Sequence, residues 1–395
     1  MKLLQINATV NSGSTGRIAE DIGKLMLAHN HHSAIAYGRG NRPSESKKIP
    51  IGGKWNVYNH VIQTRLLDNH GFASQSATKK LISDIRSFKP DVIGLHNLHG
   101  YYLHIGVLFD FLKQENMPVI WTFHDCWPFT GHCTYFDRVD CIKWKTHCQN
   151  CPMTSYYPKS LFRDRSYQNF EDKQDAFKGL ANLSIVTPSK WLKELVNQSF
   201  LKNYPVEVIH NGVNLDIFSL KENNTNEKIV LGVASIWSER KGLADFKLLK
   251  KGLSENVQIV LIGLTPSQIK ELPQGIKGIE KTDNVEELAR WYSKATVFVN
   301  PTYIDNFPTT NIEALACGTP VITYDTGGSP ESVDENTGIV VEKGNIDELS
   351  KAVKSILKAD KNKYGQACRK RAEKYFNKED RYLDYLRLYE KILTH

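Results

Sequence analysis

Three short stretches in the second half of this 395-residue chain carry residue types suited to holding a diphosphate. The first runs from Ser235 to Arg240-Lys241-Gly242, so that a loop after an apolar run ends on two cations and a glycine. Such a pair can neutralise a diphosphate leaving group. That charge grows in the transition state, so a preorganised cation lowers the barrier directly. Taken alone, Lys-Gly before a helix is equally the solvated start of that helix. The second stretch runs from Asp305 through Asn306, Phe307 and Pro308 to Thr309, Thr310 and Glu313. Pro308 suits the first helical turn, where its missing N–H would be unpaired anyway. The N–H groups of Thr309 and Thr310, with the helix dipole, then form an anion site. Glu313, about one turn further in, can accept hydrogen bonds from two ribose hydroxyls, and Asp305 can hold a sugar hydroxyl. Singly, these two read as well as a surface glutamate and a capping aspartate. The third stretch, Asp325-Thr326-Gly327-Gly328, lets backbone amides approach a ligand, or is an ordinary turn.

The first half carries a different set. Gly13-Ser14-Thr15-Gly16-Arg17 is a glycine-rich entry into a helix that could face donor phosphates or an acceptor. Twelve of the thirteen histidines lie in residues 1–215, and His96 and His124 each end an apolar run expected to be a buried strand. Cys133, Cys141, Cys148 and Cys151 fall within nineteen residues. Four thiolates at such spacings suit tetrahedral structural zinc; reduced, packed thiols and disulfides are the alternatives. No Asp-x-Asp pair occurs, so the sequence points to catalysis that requires no metal, with Lys241, Arg240 and a helix N-terminus in place of a cation.

Taken together and in order, the three loops resemble those of glycosyltransferase family 4, of the two-domain GT-B fold. The resemblance spans essentially the whole chain and is closest to bacterial members that build capsule, colanic-acid and O-antigen polysaccharides. It rests on Asp305 and Glu313 at the family's paired acidic positions, on Glu313-Ala-Leu-Ala-Cys-Gly-Thr-Pro-Val321, and on Ile209-His-Asn-Gly-Val-Asn214. It implies a nucleotide-diphosphate sugar donor of UDP or GDP type, with Lys241 on the diphosphate, Glu313 on the ribose and Asp305 on the transferred sugar. It also implies retention of anomeric configuration, and a place for His124 near the reacting sugar. The chain departs from the family at two points. The first acidic residue is Asp, one methylene shorter, and a second phosphate-binding arginine is replaced by Ser235, with Arg240 as the candidate substitute.

These residues need a frame that brings loops from several strands to one edge. Strand-like and helical runs alternate nearly throughout, the mark of parallel βαβ units. Strands are expected at Lys2–Asn7, Ser33–Tyr37, Asp91–His96, Pro118–His124, Ser184–Thr187 and Val206–His210. The pattern restarts with Ile229–Ala234, Val257–Ile262, Ile276–Lys281, Val297–Asn300, Val321–Thr323 and Gly338–Val341. The fold expected is therefore α/β, with two Rossmann-like doubly wound domains facing across a cleft. Residues 1–215 would bind the acceptor and carry a Cys-rich insert at about 126–165. Residues 216–377 would bind the nucleotide sugar, after a polar linker at Lys221–Lys228, and the helix in 378–395 would pack back on the first domain.

The composition, 41% hydrophobic and 24% charged, is that of a folded soluble protein. The longest apolar run, Ile229–Trp237, is about half the ~20 residues of a spanning helix, so the expected location is the cytoplasm. Residues 1–215 hold 25 Lys and Arg against 17 Asp and Glu, whereas residues 216–395 hold 26 of each. That asymmetry fits peripheral contact with the anionic inner face of the cytoplasmic membrane and a lipid-linked saccharide acceptor. It is too dilute for nucleic acid, and no nucleic-acid motif is present. Two other functions use similar ingredients. A nucleotide-sugar epimerase would need more acid/base groups around the sugar. A non-catalytic sugar-binding or scaffold protein of the same fold would be compatible with the departures at Asp305 and Ser235.

Overall fold

A computed structural model describes residues 1–221, 227–359 and 361–394. Glu222–Asn226 of the expected linker, with Asp360 and His395, lie outside the described residues. The chain divides into two compact units, Met1–Ile209 with Tyr382–His395, and His210–Arg381.

The first unit is built on seven strands: β1 (Lys2–Thr9), β2 (His32–Arg39), β3 (Lys47–Pro50), β4 (Val92–Leu95), β5 (Val119–Thr122), β6 (Leu183–Thr187) and β7 (Val206–Val208). They form one parallel sheet in the order β3-β2-β1-β4-β5-β6-β7. Val-Ile-Gly-Leu of β4 and Val-Ile-Trp-Thr of β5 are buried at every position, as strands covered on both faces must be. The strand order reverses between β1 and β4, where Leu3 pairs with Val92. Tyr382, Tyr385, Leu386 and Tyr389 of the last helix, Lys378–Leu393, join Leu3, Val92, Ile120 and Val186 in one buried cluster.

The second unit has six strands: β8 (Lys228–Val233), β9 (Val257–Ile262), β10 (Ile276–Ile279), β11 (Val297–Asn300), β12 (Val321–Tyr324) and β13 (Gly338–Val341). Their parallel order is β10-β9-β8-β11-β12-β13, with the reversal between β8 and β11. In such sheets ligands bind beyond the carboxyl ends of the strands beside the reversal. The loops leaving β8 and β11 are those that carry Lys241 and Asp305.

The structure differs from the sequence expectation in informative places. Strand β3 has no counterpart among the expected strands: its four residues follow Ser-Glu-Ser and begin Lys-Lys, as on a short, charged edge strand. The stretch from Cys126 to Arg165 holds only three short 3₁₀ turns. It is fastened by aromatic packing, with Trp144 fully buried and stacked on Phe136 at 4.8 Å. No helix among the described residues is long and apolar enough to cross a membrane.

Candidate active site

In the second unit the three loops converge on Asp305. The loop after β8 closes with a 3₁₀ turn, Glu239–Lys241, ended by Gly242 at φ +70. Lys241 Nζ lies 2.5 Å from Asp305 Oδ2, with both side chains largely buried. Arg240 donates to the carbonyl of Ile304 at 2.6 Å, and its own carbonyl accepts from the N–H of Tyr303 at 2.8 Å. The turn and the Asp305 loop are thus sewn together on both sides of the ion pair. Asp245, just beyond the turn, accepts from Tyr324 at 2.7 Å and Tyr303 at 3.2 Å, anchoring the same loop to β12. Ser235 is exposed at the start of the first loop.

The third loop is tied to the second. Thr326 Oγ1 donates to the carbonyl of Tyr303 at 2.8 Å. Gly327 has φ +54, and a Cβ there would strike the backbone carbonyl of Asp305. Gly327→Ala should therefore cost about 1–3 kcal/mol through strain alone. At roughly 2–4 °C per kcal/mol in a domain of this size, thermal unfolding would show a drop of several degrees. An unchanged melting temperature would mean that the loop relaxes away from Asp305.

The helix Thr309–Ala316 starts just beyond this junction, with Thr309 and Thr310 half-buried in its first turn. Pro308 is the N-cap, in extended conformation, and does not occupy the first helical turn expected of it. The residue before it explains the shift: Phe307 is buried and stacks on His210 at 4.8 Å, which draws Pro308 out of the helix. Phe307 is accordingly a core residue, and only its backbone remains for the donor contact expected of it. Asn306 is buried beside it. Glu313 is half-buried, and its Oε2 accepts from the Tyr292 hydroxyl at 2.9 Å. Tyr292, from the helix Val285–Lys294, therefore sets the carboxylate's orientation. Nothing in the spacing around Tyr292 signals this role.

In the first unit the expected glycine-rich loop is largely the opening of a helix. Ser12 is the N-cap of Gly13–Ala28, so Gly13, Ser14 and Thr15 already lie in the first turn. A Cβ at Gly16 would approach Thr9 Oγ1 to 2.7 Å, so glycine lets the helix close on the end of β1. Arg17 is exposed and donates back to the Gly13 carbonyl at 3.1 Å.

His96 and His124, at the ends of β4 and β5, stack at 5.5 Å and share a 3.2 Å hydrogen bond. Their tautomers follow from a chain of partners. Gln5 Nε2 donates to the Ala19 carbonyl at 2.7 Å, which turns its Oε1 toward His96 Nε2 at 3.0 Å. His96 thus carries its proton on Nε2 and accepts at Nδ1 from His124 Nε2–H, which leaves the His124 lone pair on Nδ1. Burial pushes His124 down to about 4 and His96 well below the ordinary histidine value, so both are neutral at pH 7. A group without a sequence signal adjoins them: His99 Nε2 donates to Asp125 Oδ2 at 2.8 Å, and the Tyr157 hydroxyl lies 3.0 Å from His99 Nδ1.

Burial also lowers His60, to about 3, and His70. Four histidines thus stay neutral in the folded unit but titrate near 6.5 once unfolded. Unfolding takes up protons below that value, so this contribution to stability is full above about pH 6.5 and falls as the pH drops toward 4. Each histidine can add up to about 1.4 kcal/mol per pH unit to the slope. Urea unfolding between pH 7.5 and 4.5 should show the decline, and His96→Gln should shallow it. A flat profile would contradict the assignment.

The four cysteines converge on one small cavity, which they line with Phe136, Trp144 and Met153. Among the described residues no group of three or more His, Cys, Asp or Glu side chains is arranged to hold a metal ion. Cys133 is hydrogen-bonded to Cys151; that bond and burial raise the Cys133 pKa, the same bond lowers Cys151 to about 7, and burial lifts Cys148 to about 12. The insert is held by packing, with Lys173 buried beneath it over the Trp127 ring.

Two parallel α/β units, each with its strand order reversing inside the sheet, are the architecture of GT-B glycosyltransferases. Residues 15–217 match the model of Glycosyltransferase Family 4, and residues 227–359 that of Glycosyl transferases group 1. The chain belongs to Glycosyltransferase Family 4 and is a glycosyltransferase. It is 24% identical over 371 residues to the putative colanic acid biosynthesis glycosyl transferase WcaC of Escherichia coli, covering 88% of this chain and 89% of that one. It is 27% identical over 223 residues to the capsular polysaccharide biosynthesis glycosyltransferase CapM of Staphylococcus aureus, covering 49% and 60%. Among solved structures, sucrose-phosphate synthase from Thermosynechococcus elongatus aligns over 100% of this chain and 99% of its own, with a TM-score of 0.72 and 18% identity. Anabaena HepE in complex with UDP aligns over 99% and 100%, with a TM-score of 0.70 and 13% identity. At these identities the structural likeness establishes the fold.

Proposed function

We propose that this enzyme moves a sugar from a nucleotide-diphosphate donor, of UDP or GDP type, to a saccharide acceptor with retention of configuration and without a catalytic metal. The observation that carries the reading is the Arg240-Lys241 turn held against Asp305, directly ahead of the Thr309–Ala316 helix and one turn from a braced Glu313. Glu313 takes the ribose. The diphosphate takes Lys241, Arg240 and the Thr309 and Thr310 N–H groups, and Asp305, released from Lys241, turns to the transferred sugar. The acceptor hydroxyl attacks from the face the diphosphate leaves. Its proton passes to a departing phosphate oxygen, because Lys241 and the helix N-terminus carry the charge that remains. His124 accepts a sugar hydroxyl at Nδ1, and Gly13 to Arg17 line the acceptor side.

The names of the relatives, WcaC and CapM, support a place in bacterial surface polysaccharide synthesis. A growing oligosaccharide on a lipid carrier is the acceptor that fits, with the basic first unit resting on the inner face of the cytoplasmic membrane. The test is transfer itself. Labelled UDP- and GDP-sugars are offered with a lipid-linked oligosaccharide extract in EDTA, and the new linkage is read by NMR. Transfer with retention supports the proposal. Transfer that needs an added divalent cation, or inversion, would overturn the corresponding part of it.

A further inference from the structure

The helix Lys54–Leu67 in the first unit is inside out. Its buried residues are His60 and Thr64, whereas Trp55, Tyr58, Ile62 and Leu66 are 86%, 64%, 54% and 43% exposed. At 100° per residue these four fall on one narrow face, opposite the buried pair. The buried side is pinned at His60: the Gly71 N–H donates to His60 Nε2 at 3.2 Å and His60 Nδ1 meets Ser74 Oγ at 2.9 Å, while Thr64 Oγ1 is satisfied within the helix by the His60 carbonyl at 2.9 Å. Rolling the helix to hide its apolar face would break the His60 hydrogen bonds to Gly71 and Ser74. The stripe points outward because these bonds hold the other side in.

A second segment extends the stripe. The N–H of Leu161 donates to the Arg65 carbonyl at 2.8 Å, which sets Leu161 and Phe162, 53% and 78% exposed, beside the helix end. Asp68, just past the helix, clamps the two together by accepting from His132 at 2.7 Å and from the Arg165 N–H at 2.9 Å. Around this apolar surface stand Lys54, Arg65, Lys159 and Arg163, and residues 54–67 and 152–163 contain no Asp or Glu. Residues 1–215 as a whole carry an excess of eight positive charges.

We infer that this face, the outer side of Lys54–Leu67 with Leu161 and Phe162, is the surface by which the enzyme seats itself on an anionic lipid bilayer. Trp and Tyr among aliphatic residues suit the headgroup boundary, where rings with one polar edge are favoured. The basic rim supplies about 1 kcal/mol per residue near an anionic surface. A second copy of the chain is the poorer occupant, since pairing this face with itself would bring like charges together. The inference deepens the reading of a lipid-borne acceptor by naming the surface, and it is tested without acceptor or donor.

The experiment is flotation with vesicles of neutral phosphatidylcholine, or of phosphatidylcholine with phosphatidylglycerol added as the anionic lipid. It compares the wild-type chain with a Trp55→Ser, Ile62→Ser, Phe162→Ser variant and with Lys54→Glu, Lys159→Glu. All of these positions are exposed, so circular dichroism and melting temperature should be unchanged. The wild type should float with the anionic vesicles about ten-fold more than with neutral ones, and each variant should lose about ten-fold, the effect of some 1.4 kcal/mol. Wild-type protein that stays unbound, or a serine variant that binds as well, overturns the inference. So does a concentration-dependent dimer in sedimentation that the serine substitutions abolish, because the face would then join two copies. Nucleotide binding by the same serine variant keeps the two readings apart: it should persist, and it stands whether or not the vesicles bind.

Discussion

Lys241→Ala should lower kcat by about 10²- to 10³-fold while changing the donor KM far less. Removing a preorganised group that stabilises developing charge costs about 2.7–4 kcal/mol of transition-state stabilisation. The loss falls mainly on kcat because the charge on the departing diphosphate increases as the bond breaks. Lys241 is placed to act this way, since its side chain is 20% exposed and already held in the site by Asp305. Two controls separate chemistry from structure. Asp305→Asn removes the ion pair but keeps the cation, so it should retain diphosphate affinity while losing sugar discrimination. Lys241→Arg keeps the charge on a longer, planar group and should recover only part of the rate. If Lys241→Ala instead raised KM alone, the lysine would be a ground-state tether and the leaving-group role would be wrong.

Glu313→Ala should weaken nucleoside diphosphate binding by about 10- to 100-fold. Hydrogen bonds to an ionised group contribute about 1.5–3 kcal/mol, and tenfold in affinity is about 1.4 kcal/mol. The carboxylate lies in the helix Thr309–Ala316 with Oε2 held by Tyr292. Tyr292→Phe is the informative companion. It leaves the carboxylate but removes its brace, and should cost about 1 kcal/mol, roughly five-fold in affinity. A free nucleobase should be indifferent to both variants. Isothermal titration would show this, and equal losses for nucleobase and nucleotide would place Glu313 away from the ribose.

The parts of this structure that are legible in the sequence are those where one physical rule acts alone. Val257–Ile262 and Val297–Asn300 match the observed β9 and β11 residue for residue, because strands buried almost throughout read as short apolar runs, and Gly338–Val341 matches β13 although Val340 is exposed on that edge strand. Ser189 caps the helix Lys190–Asn197 through the Leu192 N–H, as a serine after a proline suggests. What the sequence hides depends on contacts between distant residues. The stacking of Phe307 on His210 moves Pro308 to the N-cap, and the brace on Glu313 comes from Tyr292, on a preceding helix. The Lys54–Leu67 helix is hard to read because most of its large apolar residues face out and the two residues it buries fully, His60 and Thr64, are polar. Cysteine spacing brings the four thiols to one cavity but gives no sign of the Trp144–Phe136 stack beside them. Within the site, the structure brings Lys241, Arg240 and Asp305 together with the Thr309–Thr310 helix start, and His96 with His124. Those convergences follow from strand order, which alternation alone does not specify.

The most direct test is a thermal-shift panel of UDP, GDP, ADP, CMP and their sugars, with and without EDTA, on the wild type and on Glu313→Ala. A ligand at ~100 times its dissociation constant adds about 2.7 kcal/mol of stability. The account predicts a shift with one nucleoside diphosphate and its sugar, the same in EDTA, and cut in Glu313→Ala to the about 0.4–1.4 kcal/mol left by a 10- to 100-fold weaker affinity. A chain that no nucleotide stabilises, or a shift undiminished in the variant, would contradict a donor site built on Lys241, Asp305 and Glu313.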